Sequence, residues 1–119
     1  MSNYPKTINA VDLNKWFNSG DENPVIIDVR EGSELEIACF PKEFLHLPIS
    51  KISAEYVRKK IGELKDKKIV VLCHSGIRSY SFGKWSLDNN FVKEIWNLEE
   101  GIDGWSKSVS YTHLRAHET

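Results

Sequence analysis

A cysteine, a glycine and an arginine lie close together after an apolar run in this chain. The run "IVVL" covers residues 69–72, and Cys73, Gly76 and Arg78 follow it, before a segment with helical features. In a short loop between a strand and a helix, backbone N–H groups converge on one point and the helix dipole adds positive potential. A thiol at that point is stabilised as its thiolate. The spacing therefore predicts that Cys73 is a nucleophile in an anion-binding loop.

The main alternative is that Cys73 is a small buried hydrophobic residue, because free cysteines are often buried. Composition alone favours that interpretation, but the glycine, the arginine and the end of the strand favour the nucleophile. The spacing of Cys39 and Cys73 matches no zinc-ligand pattern. His113 and His117 have helical i, i+4 spacing but no third ligand in view. We therefore predict no metal site.

The composition is that of an ordinary globular domain. The chain has 119 residues, of which 40% are hydrophobic and 28% charged, enough for one domain with a core. The formal net charge of −1 argues against nucleic acid or an anionic membrane as partner. Apolar runs are too short to span a bilayer, the N-terminus lacks the apolar core of a signal peptide, and two cysteines fit a reducing compartment. We therefore expect a cytoplasmic protein.

Strands and helices are predicted to alternate along the chain. Strands are predicted at residues 25–29, 44–50, 67–73 and 92–98, and helices at 10–18, 53–64 and 78–89, with a short helix ending near Trp105. Asn9 is the expected N-cap of the first helix. This alternation indicates a mainly parallel sheet, whose ligands bind beyond the carboxyl ends of the strands. Cys73 lies at such an end.

Four segments together resemble the rhodanese family. The loop "CHSGIRS" is similar to the family's Cys-Arg-x-Gly-x-Arg-Ser loop. The other three segments, in order, are "VIIDVREGSELEI", "FLHLPIS" and "NLEEGIDGW", and the resemblance extends over about residues 4–107. It implies one rhodanese-like domain at residues 1–107, with a five-stranded, mainly parallel sheet flanked by helices on both faces. We interpret residues 108–119 as non-native read-through or a disordered tail.

The resemblance also implies an activity, which is sulfane-sulfur transfer. Cys73 would attack a small anionic donor such as thiosulfate, release sulfite and hold the sulfur as a persulfide. A thiol, cyanide or a protein would then accept the sulfur, with no cofactor beyond the persulfide. The anion-binding loop would comprise His74, Ser75, Gly76, Ile77, Arg78 and Ser79. Arg78 would hold either the loop or the donor.

Other residues are open to two interpretations. Asp28 and Arg30 could support the site or form a structural pair, and Cys39 could resolve the persulfide or be passive. Two residues depart from the family pattern. His74 replaces an arginine, which is expected to weaken donor binding or make it sensitive to pH. Glu100 replaces the first glycine of the closing segment.

Two other functions compete with sulfur transfer. Cysteine-dependent phosphatases place five residues between cysteine and arginine, whereas this chain has four, so phosphatase or arsenate reductase is disfavoured. A non-catalytic binding or regulatory module is the alternative from another class, although such domains usually lack the cysteine. The donor, the acceptor and the oligomeric state are left open by the sequence.

Overall fold

Five parallel strands form a single sheet in the computed structural model, which describes residues 3–64 and 66–110. The strands are β1 (Lys6–Ile8), β2 (Val25–Asp28), β3 (Leu45–His46), β4 (Ile69–Leu72) and β5 (Trp96–Leu98). Their order across the sheet is β1-β5-β4-β2-β3, and every pairing is parallel. The carboxyl ends of all five strands therefore lie at one edge of the sheet, with β4 in the middle.

Helices connect the strands and cover both faces of the sheet. They are α1 (Ala10–Phe17), α2 (Gly32–Ile37), α3 (Ala54–Gly62), α4 (Ile77–Asp88) and α5 (Gly101–Trp105). A 3₁₀ turn covers Ile49–Lys51, and a π-helical turn covers Ser106–Ser110. Asn9 caps α1, as predicted, because its side chain accepts a hydrogen bond of 2.8 Å from the backbone N–H of Asp12.

The core has two halves, one on each face of the sheet, because alternate residues of a strand point to opposite sides. One half includes Ile27, Val71 and Cys73 with residues of α3 and α4. The other includes Ile26, Val70, Leu72 and Leu98 with Ala10 and Leu13 of α1 and Ile102 and Trp105 of α5. All four residues of β4 are buried, as expected for a central parallel strand. This packing fixes the position of Cys73, which directly follows β4.

The predicted architecture is confirmed, with differences in detail. The four predicted strands and four predicted helices all form, but all four strands are shorter than predicted, β3 most of all. Strand β1 was missed because it is a three-residue edge strand with two exposed residues. Val109, which belongs to the segment 108–119 interpreted above as read-through or a disordered tail, packs against the second half of the core. Residues 111–119, including His113 and His117, lie outside the described part of the chain.

Two absences hold for residues 3–64 and 66–110. None of the helices there combines the length and the apolar character needed to cross a membrane. Nor does that part of the chain bring three His, Cys, Asp or Glu side chains together as a metal-binding group.

Candidate active site

Cys73 lies one residue beyond β4, at the carboxyl edge of the sheet. Its side chain is buried, and the loop 74–76 curls over it before α4 begins at Ile77. Three groups that can donate hydrogen bonds surround the sulfur. The backbone N–H of Gly76 lies 3.1 Å from Sγ, and the N–H and Oγ of Ser79 each lie 3.3 Å from it. The predicted loop therefore forms, and its amides converge on Cys73 Sγ.

This environment favours the thiolate of Cys73. Burial by itself raises the pKa of a thiol, because it removes solvent from the charged form. Hydrogen bonds from the Ser79 side chain and from the amides of Ser79, Gly76 and Ser75 outweigh that effect. The pKa of Cys73 is consequently lower than that of an ordinary cysteine. The thiolate is the nucleophilic form of cysteine, so the surroundings of Cys73 favour the form that could act as a nucleophile.

The loop depends on a glycine at residue 76. Gly76 has φ of +97°, a conformation that other residues rarely adopt. A Cβ at this position would also lie 3.2 Å from the amide nitrogen of Glu100 and 3.3 Å from the carbonyl oxygen of Leu98. The left-handed turn points the Gly76 N–H at Cys73 Sγ. The positive φ and the close backbone neighbours explain why residue 76 is a glycine.

The first turn of α5 anchors the other side of the loop. The carbonyl oxygen of Cys73 accepts a hydrogen bond of 2.8 Å from Ile102 N–H, and that of His74 accepts one of 3.1 Å from Asp103 N–H. Gly101 makes this approach possible, since a Cβ there would lie 2.1 Å from the Cys73 carbonyl oxygen. Glu100 adopts a left-handed φ of 62° at the point where the family pattern has a glycine. The closing segment therefore belongs to the site, a role that sequence reasoning did not assign to it.

Arg78 holds the loop to α2. Its two terminal nitrogens donate to the two carboxylate oxygens of Glu34, at 2.9 and 2.7 Å. A hydrogen bond from Arg78 is the main cause that lowers the pKa of Glu34 to about 2, and the same bond raises the pKa of Arg78. Arg78 thus makes the contact expected of a residue that holds the loop, which is one of the two roles predicted for it.

Asp28, the last residue of β2, and Arg30 form a buried ion pair next to β4. Arg30 donates to Asp28 through its backbone N–H and its guanidinium, with the shortest distance 2.8 Å. Asp28 lies opposite Leu72 in the sheet register, and Leu72 is the residue before Cys73. The Arg30 carbonyl oxygen lies 2.6 Å from His46 Nε2. The pair therefore joins strand ends near the site, as the structural interpretation of these residues predicted.

Asn97 is a site residue that sequence reasoning missed. It lies in β5, is almost fully buried, and contacts two residues of the loop and α4. Its Oδ1 accepts from Ser79 Oγ at 2.5 Å, and its Nδ2 donates to the Gly76 carbonyl oxygen at 3.1 Å. The available signal was a polar residue between two apolar ones in the last strand.

The remaining loop residues face outward. His74, Ser75 and Ile77 are exposed, and Ile77 is 75% accessible although it is apolar. A cavity of about 390 Å³ lies beside the loop. Its lining includes Ser75, Ile77, Tyr80, Asn97, Glu99 and Glu100. Cys39 is exposed in the segment after α2, and both cysteines are free thiols.

Comparison with known proteins agrees with this geometry. The model of the rhodanese-like domain family matches residues 9–108. The chain belongs to the rhodanese-like domain family. The tRNA uridine(34) hydroxylase of Salmonella newport is 32% identical over 103 residues, which are 85% of this chain and 28% of that protein. This rhodanese-like chain thus spans less than a third of the length of the curated relatives that it matches.

Solved structures show the same fold. A rhodanese-related protein from Thermoplasma volcanium is 28% identical, with a TM-score of 0.65 over 87% of this chain and 93% of that one. The As–Sb reductase of Leishmania major is 17% identical, with a TM-score of 0.73 over 89% of this chain and 80% of that one. The second likeness concerns the fold alone.

Proposed function

We propose that this rhodanese-like chain is a sulfurtransferase that carries sulfane sulfur on Cys73. The observation that carries the proposal is the set of three groups within 3.3 Å of Cys73 Sγ that can donate hydrogen bonds to an anionic sulfur: the N–H of Gly76, and the N–H and hydroxyl of Ser79. These donors stabilise negative charge on sulfur, and both the thiolate and the persulfide are anionic sulfur species. A passive buried cysteine needs no such surroundings.

The reaction has two balanced displacement steps. The Cys73 thiolate attacks the outer sulfur of thiosulfate, the S–S bond of the donor breaks, and sulfite leaves with the bonding electron pair. Cys73 then holds a persulfide anion. A thiolate acceptor attacks the terminal sulfur of that persulfide, takes it as a new persulfide, and restores the Cys73 thiolate. A persulfide donor would load Cys73 in the same way, with a thiolate as leaving group.

The charge near the loop bears on the donor class. Arg78 is the cation of the loop, and both its terminal nitrogens are engaged by Glu34. Glu99 and Glu100 line the adjacent cavity. An anionic donor therefore depends on the loop amides for stabilisation. We infer that a persulfide donor is used more efficiently than the doubly charged thiosulfate.

Sulfur transfer by Cys73 needs an acceptor and a compartment that keeps the thiol reduced. The acceptor is a thiol or a protein, with cyanide as an artificial acceptor, and no cofactor is needed because the sulfur is carried on Cys73. Cys39 and Cys73 are both free thiols, which suits a reducing, cytoplasmic compartment. We propose no nucleic-acid or membrane partner for sulfur transfer.

Mass measurement of the intact protein tests the proposal. After incubation with thiosulfate or a small-molecule persulfide, the Cys39→Ser protein is expected to gain one sulfur atom and to lose it on addition of cyanide. The Cys39→Ser/Cys73→Ser double variant is the matched control and should gain none. An unchanged mass of the Cys39→Ser protein with both donors would contradict sulfur transfer and favour the non-catalytic module.

Phosphatase or arsenate reductase activity is tested in the same preparation. The loop has four residues between Cys73 and Arg78, one fewer than the cysteine-phosphatase pattern, and the guanidinium of Arg78 is bound to Glu34. We therefore expect no turnover of an aryl phosphate and no arsenate reduction. Turnover that disappears in Cys73→Ser would show that the loop binds a tetrahedral oxyanion instead.

A role in tRNA uridine modification is the second candidate. It is favoured by the 32% identity to the tRNA uridine(34) hydroxylase of Salmonella newport, although the match covers 28% of that protein. Co-sedimentation with total tRNA tests it. Saturable binding would favour tRNA modification, whereas sulfur loading of Cys73 without tRNA binding would favour the sulfurtransferase.

A further inference from the structure

Two buried polar side chains form a hydrogen-bonded chain that ends at Cys73. Ser79 is fully buried and Asn97 nearly so. Ser79 Oγ lies 3.3 Å from Cys73 Sγ on one side and 2.5 Å from Asn97 Oδ1 on the other. The second contact is the shorter, and it joins α4 to β5. Ser79 therefore has two partners for the single proton of its hydroxyl.

The direction of these hydrogen bonds follows from the donors and acceptors available. The carbonyl oxygen of Gly76 only accepts, so the group that faces it at 3.1 Å must be the amide nitrogen of Asn97. This contact fixes the orientation of the Asn97 amide and turns its oxygen towards Ser79. An amide oxygen cannot donate, so the Ser79 hydroxyl must donate in the 2.5 Å contact. The Ser79 proton then lies on the side away from the sulfur.

We propose that Asn97 is a positioning residue that holds the hydroxyl proton of Ser79 away from Cys73 Sγ until the sulfur becomes anionic. While Cys73 is a thiol, its S–H can donate to the free lone pair of Ser79 Oγ. Once Cys73 is a thiolate, that lone pair faces a negative charge. Rotation about the Cβ–Oγ bond then lets Ser79 donate to sulfur, and the bond to Asn97 is lost. Asn97 and the anionic sulfur thus compete for one proton.

Because of this competition, the loop has one hydrogen-bond donor that can change its acceptor, the Ser79 hydroxyl, beside backbone amides that cannot. The amides of Gly76 and Ser79 are held by the backbone and point at Sγ in either state. The Ser79 hydroxyl alone can change its direction, and Asn97 sets how easily it does so. The functional meaning of this arrangement rests on the proposed function, in which Cys73 alternates between a thiolate and a persulfide.

Charged and titratable groups also lie on the elements around the loop. The surrounding elements carry the ion pairs Asp28–Arg30 and Glu34–Arg78, His74 in the loop, and Glu99 and Glu100 after β5. All of these remain in place in the variants described below. Their effects are therefore common to every corner of a double-mutant cycle and cancel in the coupling.

The test is a double-mutant cycle on the pKa of Cys73. The Cys39→Ser protein leaves one thiol, and the ultraviolet absorbance of its thiolate is followed against pH. The variants are Asn97→Leu, which keeps the shape of the side chain, Ser79→Ala, and both together. Asn97→Leu frees the Ser79 hydroxyl for the thiolate, so we expect the pKa to fall by about half a unit. In the Ser79→Ala background the same change should produce no fall.

The alternative role of Asn97 predicts the opposite sign. If Asn97 served only to hold Gly76, Asn97→Leu would loosen the Gly76 amide from sulfur and raise the pKa of Cys73. It would do so equally with Ser79 or Ala at residue 79. A rise, or a shift of equal size in the two backgrounds, overturns the proposal.

A second measurement needs no change at residue 97. The carbon-13 signal of the Asn97 side-chain carbonyl is compared in light and heavy water across the titration of Cys73. The isotope shift of this signal is measured in the Cys39→Ser protein with Ser79 and with Ser79→Ala, and the difference between the two reports the Ser79 hydroxyl. This difference should vanish as Cys73 ionises. An isotope shift that persists through the titration overturns the proposal, even if the Asn97→Leu protein does not fold.

Neither measurement depends on sulfur transfer. Loss of the coupling between residues 79 and 97 with normal persulfide formation would reject the role of Asn97 and keep the sulfurtransferase. Normal coupling without persulfide formation would reject the sulfurtransferase and keep the role of Asn97.

Discussion

The guanidinium of Arg78 and the carboxylate of Glu34 form a two-pronged ion pair, with nitrogen–oxygen distances of 2.9 and 2.7 Å. The pair joins the first turn of α4 to the short helix α2, and so closes the loop on the side away from α5. Glu34 also accepts a hydrogen bond from the N–H of Glu31, the N-cap residue of α2. The carboxylate of Glu34 thus caps α2 and also neutralises the charge of Arg78.

Changes to the two members of this pair should shift thiosulfate use in opposite directions. Glu34→Gln removes a negative charge and releases Arg78, so we expect KM for thiosulfate to fall by about threefold, in the range of a partly exposed charge interaction. Arg78→Gln leaves Glu34 uncompensated near the donor and should raise KM. Initial rates of sulfite release measure both effects.

The matched control for these variants lies at the other edge of the sheet. Glu94 precedes β5 and pairs with Lys6 and Lys68, so Glu94→Gln removes an equivalent charge far from the loop. It should leave KM for thiosulfate unchanged. If Glu34→Gln and Arg78→Gln both raised KM, the pair would act through loop geometry and the charge argument would be wrong.

Two carboxylates should make the fold less stable in acid. A hydrogen bond from Arg78 lowers the pKa of Glu34 to about 2, and hydrogen bonds from Lys6 and Lys68 do the same for Glu94, from an ordinary value of 4.5. Between these values the unfolded chain binds protons that the native protein does not. The stabilisation is therefore complete above about pH 4.5 and is lost as the pH falls towards 2.

Urea unfolding at several pH values checks this acid sensitivity. Glu34→Gln and Glu94→Gln should each flatten the decline of unfolding free energy below about pH 4.5. Because both pairs are partly exposed, each should contribute no more than about 1 kcal/mol. Added salt should also reduce the slope. A slope that neither substitution nor salt changes would show that other groups control acid unfolding.

The sequence predicted the position of the nucleophile because continuous apolar residues mark central parallel strands. Strand β4 is buried throughout, so the end of its apolar run located Cys73 at the carboxyl edge. Strand β1 carried no such signal, since it is short and mostly exposed at the edge of the sheet.

The loop motif did not predict which side chains from distant parts of the sequence contact the loop. Glu34 lies 44 residues from Arg78, and nothing in the loop sequence indicates which carboxylate binds the guanidinium. Asn97 likewise approaches Ser79 only because β5 pairs with β4. The sequence could therefore predict which loop carries the chemistry, but not which side chains from other elements support it.

A methyl group at residue 101 should separate the loop from α5. The Cβ of Gly101→Ala would lie 2.1 Å from the Cys73 carbonyl oxygen, which is backbone and cannot rotate away. The φ of +55° adds strain for any L-residue. We expect a loss of about 3 kcal/mol or more in the free energy of unfolding, measured with urea.

The control for Gly101→Ala is Gly62→Ala at the end of α3, where a Cβ meets nothing within 4 Å. Alanine favours the helix there, so stability should be unchanged or slightly raised. Equal effects of the two substitutions would mean that the contact between Gly101 and Cys73 does not hold the loop.

The buried pair of Asp28 and Arg30 should contribute far more to stability than any exposed pair. Asp28→Asn leaves the Arg30 guanidinium buried without its counter-ion, which we expect to cost about 3–5 kcal/mol in the free energy of unfolding. Glu22→Gln, which removes the partner of the exposed Lys67, should leave the urea midpoint unchanged because solvent screens that pair.

A small effect of Asp28→Asn would show that the His46 contact and the strand ends hold Arg30 without the aspartate. A large effect, with Cys73 still loaded by a persulfide donor in the folded fraction, would establish the pair as structural and separate it from the chemistry of the loop.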